Sequence, residues 1–209
     1  MGLAAGLLCL PVVVLEDPRL QAVLSNWPAP ALNILWEAIT RLGNGGVDIG
    51  VFLVPALWGW WRGDRDRRNQ GLLGAATVAG AGVLDQILKN TACRARPSAP
   101  EAGAFFTNFP CFPAEYAYAS FPSGHTTTAF AAAVILALWY PRWAGVWLTL
   151  AVLVGLSRVM LGSHFPSDVL AGALLGSGLA WAVHAGCPAA RRVPPGHDTI
   201  SREEKPRGA

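Results

Sequence analysis

Three short polar clusters interrupt an otherwise apolar chain, and their residue types are those that move a phosphoryl group. The first is Lys89, followed after six residues by Arg96-Pro97; the second is Pro122-Ser123-Gly124-His125; the third is Ser157-Arg158 with His164 and Asp168. Phosphoryl transfer asks mainly for positioning and for positive charge around the phosphoryl oxygens, which cations and a helix N-terminus provide. Imidazole titrates near neutral pH, so His125 and His164 are suited to work as nucleophile or as general acid and base.

Each cluster also has a local physical reading. Pro122 to His125 opens a helix with Ser123 at the N-cap, and the backbone N–H groups that follow can bind an anion. In His164-Phe165-Pro166-Ser167-Asp168, the proline marks a helix start and places Asp168 in its first turn. From there the carboxylate can reach back to the imidazole, fix its tautomer and leave the other nitrogen free to attack. The plainer alternatives are an ordinary Pro-Ser-Gly loop and an aspartate placed for the helix dipole. Lys89 and Arg158 stand at the ends of apolar stretches, where an ionisable group costs at least ~2.5–3.5 kcal/mol unless it is paired or holds an anion. Asp85, one turn before Lys89, is the plain structural partner for it. The few carboxylates nearby do not suffice for Lys89, Arg96 and Arg158 together, whereas one phosphate would neutralise all three.

The elements that must carry these clusters are membrane spans. Of 209 residues, 53% are hydrophobic and 14% charged, against about 25% charged in soluble domains; mean hydropathy is +0.37. Apolar stretches at Met1–Leu15, Val47–Trp61, Gly71–Leu88, His125–Trp139, Ala144–Leu161 and Asp168–Ala185 give about six transmembrane helices. Pro28–Leu42 has its apolar residues at helical spacing opposite Asn33, Glu37 and Arg41, and reads as an interfacial helix. The fold expected is therefore all-α, a polytopic membrane bundle. Met1–Leu15 lacks leading basic residues and a cleavage site, so it reads as a retained first span ending before Glu16-Asp17-Pro18.

Six spans put both termini on one face with Arg62, Arg65, Arg67, Arg68 and Arg142, and ten of the sixteen Lys/Arg fall there. By the positive-inside bias that face is cytoplasmic, with Trp58, Trp60, Trp61, Trp139 and Trp143 as interfacial anchors. All three clusters then lie on the outer face. Gly172 and Gly176, with Gly74, Gly80 and Gly82, predict close helix packing. The tail 188–209 is polar, without apolar periodicity, and predicts no packed structure. A net charge of +3 without basic-aromatic runs excludes a nucleic-acid partner.

In order and spacing the clusters resemble the three signatures of the type 2 phosphatidic acid phosphatase superfamily, and the span layout is similar to its bacterial integral membrane members. The resemblance covers about residues 47–185, within a single domain over 1–187. It implies a metal-independent lipid phosphatase that needs no cofactor. His164 would be the nucleophile that becomes a phosphohistidine, Asp168 would orient it, and His125 would protonate the leaving oxygen and then activate water. Lys89, Arg96, Arg158, Ser123 and the N–H of Gly124 would hold the phosphoryl oxygens. The partners expected are a lipid phosphate and the surrounding membrane lipids at the outer face of a cytoplasmic (inner) membrane. The substrate would be undecaprenyl pyrophosphate, phosphatidylglycerophosphate, phosphatidate or a lipid A phosphate, with the aromatic stretch 98–118 shaping the entrance.

Two other classes use a similar anion pocket. A vanadate-dependent haloperoxidase would be soluble, which the apolar spans oppose; a non-catalytic transporter or scaffold would not need two imidazoles and an orienting carboxylate. Cys93 and Cys111 share the outer loop with Arg96. They form a disulfide if that face is oxidising and remain two free thiols otherwise. Cys9 and Cys187 read as packing residues, and His184 and His197 carry no role.

Overall fold

The computed structural model describes residues 2–25, 30–107, 109, 111 and 115–188. The tail from residue 189 onward, Met1 and Phe112 of the aromatic stretch lie outside the described residues. Among the described residues, seven α-helices follow one another: α1 (Gly2–Ser25), α2 (Pro30–Leu42), α3 (Gly45–Arg62), α4 (Arg65–Ala92), α5 (Gly124–Trp139), α6 (Ala144–Met160) and α7 (Pro166–Gly186). Short 3-10 turns occupy Tyr116–Tyr118 and Pro141–Trp143. The all-α expectation holds among the described residues.

Among the described residues, three segments are long and apolar enough to cross a membrane: Arg65–Ala92, Pro141–Met160 and Pro166–Gly186. Helices α2 and α3 qualify as a fourth only when taken together, bent by 48° between Leu42 and Gly45. Asn44 makes the break, because its side chain caps α3 by accepting from the Gly46 N–H at 2.9 Å. Helix α5, with 16 residues, is apolar but shorter.

The first helix corrects the sequence expectation. Rather than stopping at Leu15, α1 continues through Glu16-Asp17-Pro18 to Ser25. Glu16 pairs with Arg19 on the exposed side, while Asp17 is only 1% exposed and bonded to groups from two other parts of the chain. A charge that reads as the end of a span is thus an internal contact.

Helix α5 is the centre of the bundle and packs against α3, α4, α6 and α7. Small residues make this possible. A Cβ at Gly176 would lie 2.2 Å from the Thr127 carbonyl oxygen and 2.9 Å from the Ala131 nitrogen, and one at Gly172 would lie 2.7 Å from the Ser123 carbonyl oxygen. The backbones of α5 and α7 therefore approach closely, as the small-residue spacing predicts. Gly71 and Gly74 of α4 seat Phe52 and Ala56 of α3 in the same way, and Phe52 packs edge-on against Trp139 with centroids 5.9 Å apart. Gly80 and Gly82 make only ordinary contacts. The apolar core of Phe52, Val78, Ala131, Ile135, Trp139 and Ala180 lies toward the far end of α5 from Ser123, leaving its N-terminal end for polar groups.

Candidate active site

The three clusters meet where α4 and α6 end and α5 and α7 begin. Cys93, with a left-handed backbone (φ 44°), terminates α4 by donating its N–H to the Lys89 carbonyl. The chain then doubles back on itself: Ala95 N–H bonds Ala104 O, Arg96 N–H bonds Ala117 O, and Ser120 N–H bonds Arg94 O. A Cys93–Cys111 disulfide ties this segment to the end of α4, resolving the alternative left open by the sequence. It closes 18 residues of separation, for which chain entropy gives about 3 kcal/mol.

After α6, a tight turn brings His164 in. Gly162 has φ 62°, a region costly to other residues, and the N–H groups of Ser163 and His164 both bond the Arg158 carbonyl. Pro166 then opens α7, and Asp168 in its first turn accepts the Phe165 N–H at 2.9 Å.

His164 is 2% exposed, and its two nitrogens have different neighbours. Nδ1 lies 2.8 Å from the Ser120 carbonyl oxygen, and Nε2 lies 3.2 Å from Nη1 of Arg96. A carbonyl oxygen only accepts and a guanidinium only donates, so Nδ1 carries the proton and Nε2 presents its lone pair. Burial holds the ring's pKa down to about 4, with the Arg96 charge adding to this and Asp168 opposing it. The ring is therefore neutral at physiological pH.

Asp168 stands differently from the sequence expectation. Its Oδ2 is 3.6 Å from His164 Nδ1, close enough for charge attraction and longer than a hydrogen bond. The carboxylate instead accepts the Ser120 hydroxyl at 2.6 Å, the Phe165 N–H and the Arg94 guanidinium. Ser120 links the two, with its hydroxyl on Asp168 and its carbonyl on the imidazole.

The cations expected to hold phosphate converge, each with protein partners of its own. Arg96 donates to the carbonyl oxygens of Tyr116, Ser163 and Ala119, at 2.7, 2.7 and 3.1 Å, with the Tyr116 ring 3.9 Å from its guanidinium carbon. Lys89 pairs with Asp85 at 2.6 Å and also donates to the Pro122 carbonyl. The plain structural partner for Lys89 is thus realised, and the lysine and the start of α5 become one unit. Gly124 sits close beside them, since a Cβ there would lie 3.0 Å from Asp85 Oδ2, a tight contact. Arg158 donates from Nη1 to Thr40 of α2 at 2.8 Å, and its Nε is buried without a hydrogen-bond partner among the described residues. Ser123 caps α5 with no side-chain bond to the helix backbone; its Oγ accepts from the Thr126 hydroxyl at 2.9 Å, leaving its own proton to donate. His125 is half-buried in the first turn of α5, with the charges of Arg158, Lys89 and Arg96 acting on it.

Sequence reasoning missed Asp17, Arg94, Ser120 and Thr40. Arg94 had a signal, being an arginine two residues from Arg96. Asp17 had a weaker one, since apolar residues resume after it at Leu20, Val23 and Leu24.

A family model described as the PAP2 superfamily matches residues 70–192. Among curated proteins, a lipid A 1-phosphatase of Rhizobium johnstonii is 41% identical over 101 residues, which is 48% of this chain and 41% of that protein. An undecaprenyl-diphosphatase of Sulfolobus acidocaldarius is 44% identical over 70 residues, covering 33% of this chain and 32% of that one. These matches thus span less than half of the relatives' own length. Among solved structures, Aquifex aeolicus LpxE superposes with TM-score 0.63 at 25% identity, covering 79% of this chain and 92% of that one. A transmembrane PAP2-type phosphatidylglycerolphosphate phosphatase from Bacillus subtilis gives TM-score 0.65 at 25% identity, covering 88% and 94%.

Proposed function

Since the chain belongs to the PAP2 superfamily and is an integral membrane protein, we propose that it is a lipid phosphatase working through a phosphohistidine on His164. The observation that carries this reading is the pair of contacts on that ring: Nδ1 on the Ser120 carbonyl and Nε2 beside Arg96, which leaves a lone pair aimed at a cationic pocket. Nε2 attacks phosphorus while the bond from phosphorus to the lipid oxygen breaks. His125 gives its proton to that oxygen, and the lipid alcohol or lipid monophosphate leaves. His125 then takes a proton from water, the water oxygen attacks phosphorus, and the P–N bond breaks to release inorganic phosphate.

Arg96, Arg158 and Lys89, with Ser123 and the Gly124 N–H, hold the phosphoryl oxygens. The unpartnered Arg158 Nε supports this, because a buried N–H without an acceptor is costly and an anion would satisfy it. Asp168 supports the imidazolium character that His164 gains on phosphorylation. No metal or cofactor takes part in this scheme.

In the membrane we propose six spans, with α2 at the interface, both termini in the cytoplasm and the site facing the periplasm or cell exterior. Residues 1–187 form the phosphatase domain and 188–209 a cytoplasmic tail. The Cys93–Cys111 disulfide supports that orientation, since it needs an oxidising compartment on the site's side. The substrate class is a phosphate or diphosphate ester of a lipid. Purified protein in detergent, given phosphatidate, phosphatidylglycerophosphate, undecaprenyl diphosphate and lipid A in parallel, should release inorganic phosphate from at least one. Release from none of them would contradict the reading.

A further inference from the structure

Behind His164, on the side away from the phosphate cations, lies a buried chain of charges of which the mechanism above uses only Asp168. Asp17 of α1, Arg94 of the outer loop and Asp168 of α7 are each 1% exposed or less. The guanidinium bridges both carboxylates, with Nη2 2.7 Å from Asp17 Oδ2 and Nη1 on Asp168 Oδ1. Phe105 and Phe165 place their rings 4.6 and 4.5 Å from the guanidinium carbon, excluding water from it. Ser167 completes the connection, since its N–H donates to Asp17 Oδ1 at 3.0 Å and its hydroxyl bonds Asp17 and Arg94.

The charge count is what matters. Two carboxylates share one guanidinium, so the group carries one net negative charge next to an imidazole that becomes positive when phosphorylated. Without Asp17, Arg94 and Asp168 would form a neutral pair, and the imidazolium would have no balancing charge on that side in a site where charges are weakly screened. We infer that Asp17 is a positioning residue for the phosphoryl-transfer reaction: through Arg94 it keeps the Asp168 carboxylate available to His164, making α1 part of the active site. This rests on the proposed phosphatase reading.

Three variants and wild type separate the alternatives, assayed with dioctanoyl phosphatidate and farnesyl diphosphate as probes in detergent. Wild-type turnover of a probe establishes the phosphatase reading on its own; if neither probe is turned over, the variants are compared on whichever of the four lipids above releases phosphate, and release from none would sink that reading and this inference with it. Asp17→Asn should lower kcat about 100-fold with KM within a factor of two or three. Arg94→Met alone leaves both carboxylates and removes the bridge, and should also lower kcat. The decisive variant is the double substitution Asp17→Asn with Arg94→Met, which restores one net negative charge through Asp168 alone. It should recover at least tenfold over Asp17→Asn, although it removes more native contacts. A double variant no better than the single, or a single with wild-type kcat, would overturn the charge role. Thermal melting of each purified variant provides the folding control: recovery of kcat without recovery of melting temperature is the expected pattern, and recovery of both in parallel would assign Asp17 to stability alone.

Discussion

His164 concentrates the chemistry because its surroundings fix both its tautomer and its charge. The ring is held neutral in the fold by burial, with a pKa of about 4 against an ordinary value near 6.5. The folded state thus binds fewer protons than the unfolded state between those values. Stability contributed by the neutral ring is present above about pH 6.5 and is lost as pH falls toward 4. Melting temperatures in detergent should therefore fall more steeply from pH 7 to 4.5 for wild type than for His164→Gln; parallel curves would contradict the buried, neutral imidazole. Much of this was legible in the residues, since His164, Asp168, Arg96 and Arg158 are spaced as the chemistry needs. Ser120 was not, because it contributes partly through its backbone carbonyl, and any residue type supplies one.

Among the elements, the α5–α7 contact decides whether the clusters meet at all. Ser123 N–H bonds the Asp168 carbonyl at 3.0 Å, so the starts of the two helices are tied together. Their approach depends on Gly172 and Gly176. Gly176→Val should lower the melting temperature and activity together, at a cost of about 3 kcal/mol or more, since the obstructing atoms are backbone. Gly178→Ala, where nothing lies within 4 Å, should be neutral or slightly stabilising. Equal effects from the two would contradict the packing described. The loop from Cys93 to Cys111 makes a separate prediction: Cys93→Ser with Cys111→Ser should destabilise by about 3 kcal/mol in chemical unfolding, whereas an unchanged midpoint would show that the disulfide does not constrain the loop. The sequence offered both cysteines but not their pairing, which depends on the chain's return to the end of α4. It also offered the small-residue spacing of α7, but not the length of α1. Pro18 and two acids signal a stop, and only the tertiary partners Arg94 and Ser167 explain why the helix continues.

For the whole molecule, apolar helices and the distribution of basic residues set the frame, and the site sits at one end of it. The cations of the site share the end that carries the disulfide, while Trp58, Trp60, Trp61 and the arginines from 62 to 68 mark the opposite end. A compartment reporter fused near Asp66 should therefore read cytoplasmic, and an external reading would invert the proposed orientation. The all-helical bundle was legible because apolar runs of spanning length allow no other membrane fold in a chain this helical. The bend between α2 and α3 was not, since Asn44 caps a helix only once the chain has turned there. The central claim is that His164 Nε2 forms a bond to phosphorus. The most direct measurement is to quench the protein in alkali during turnover of a phosphorus-labelled lipid phosphate and map the label by peptide analysis. The account predicts acid-labile, alkali-stable label on the peptide containing His164, and none in His164→Ala, which should also lose phosphate release while still inserting in membranes. Label on another residue, or undiminished turnover by His164→Ala, would contradict it.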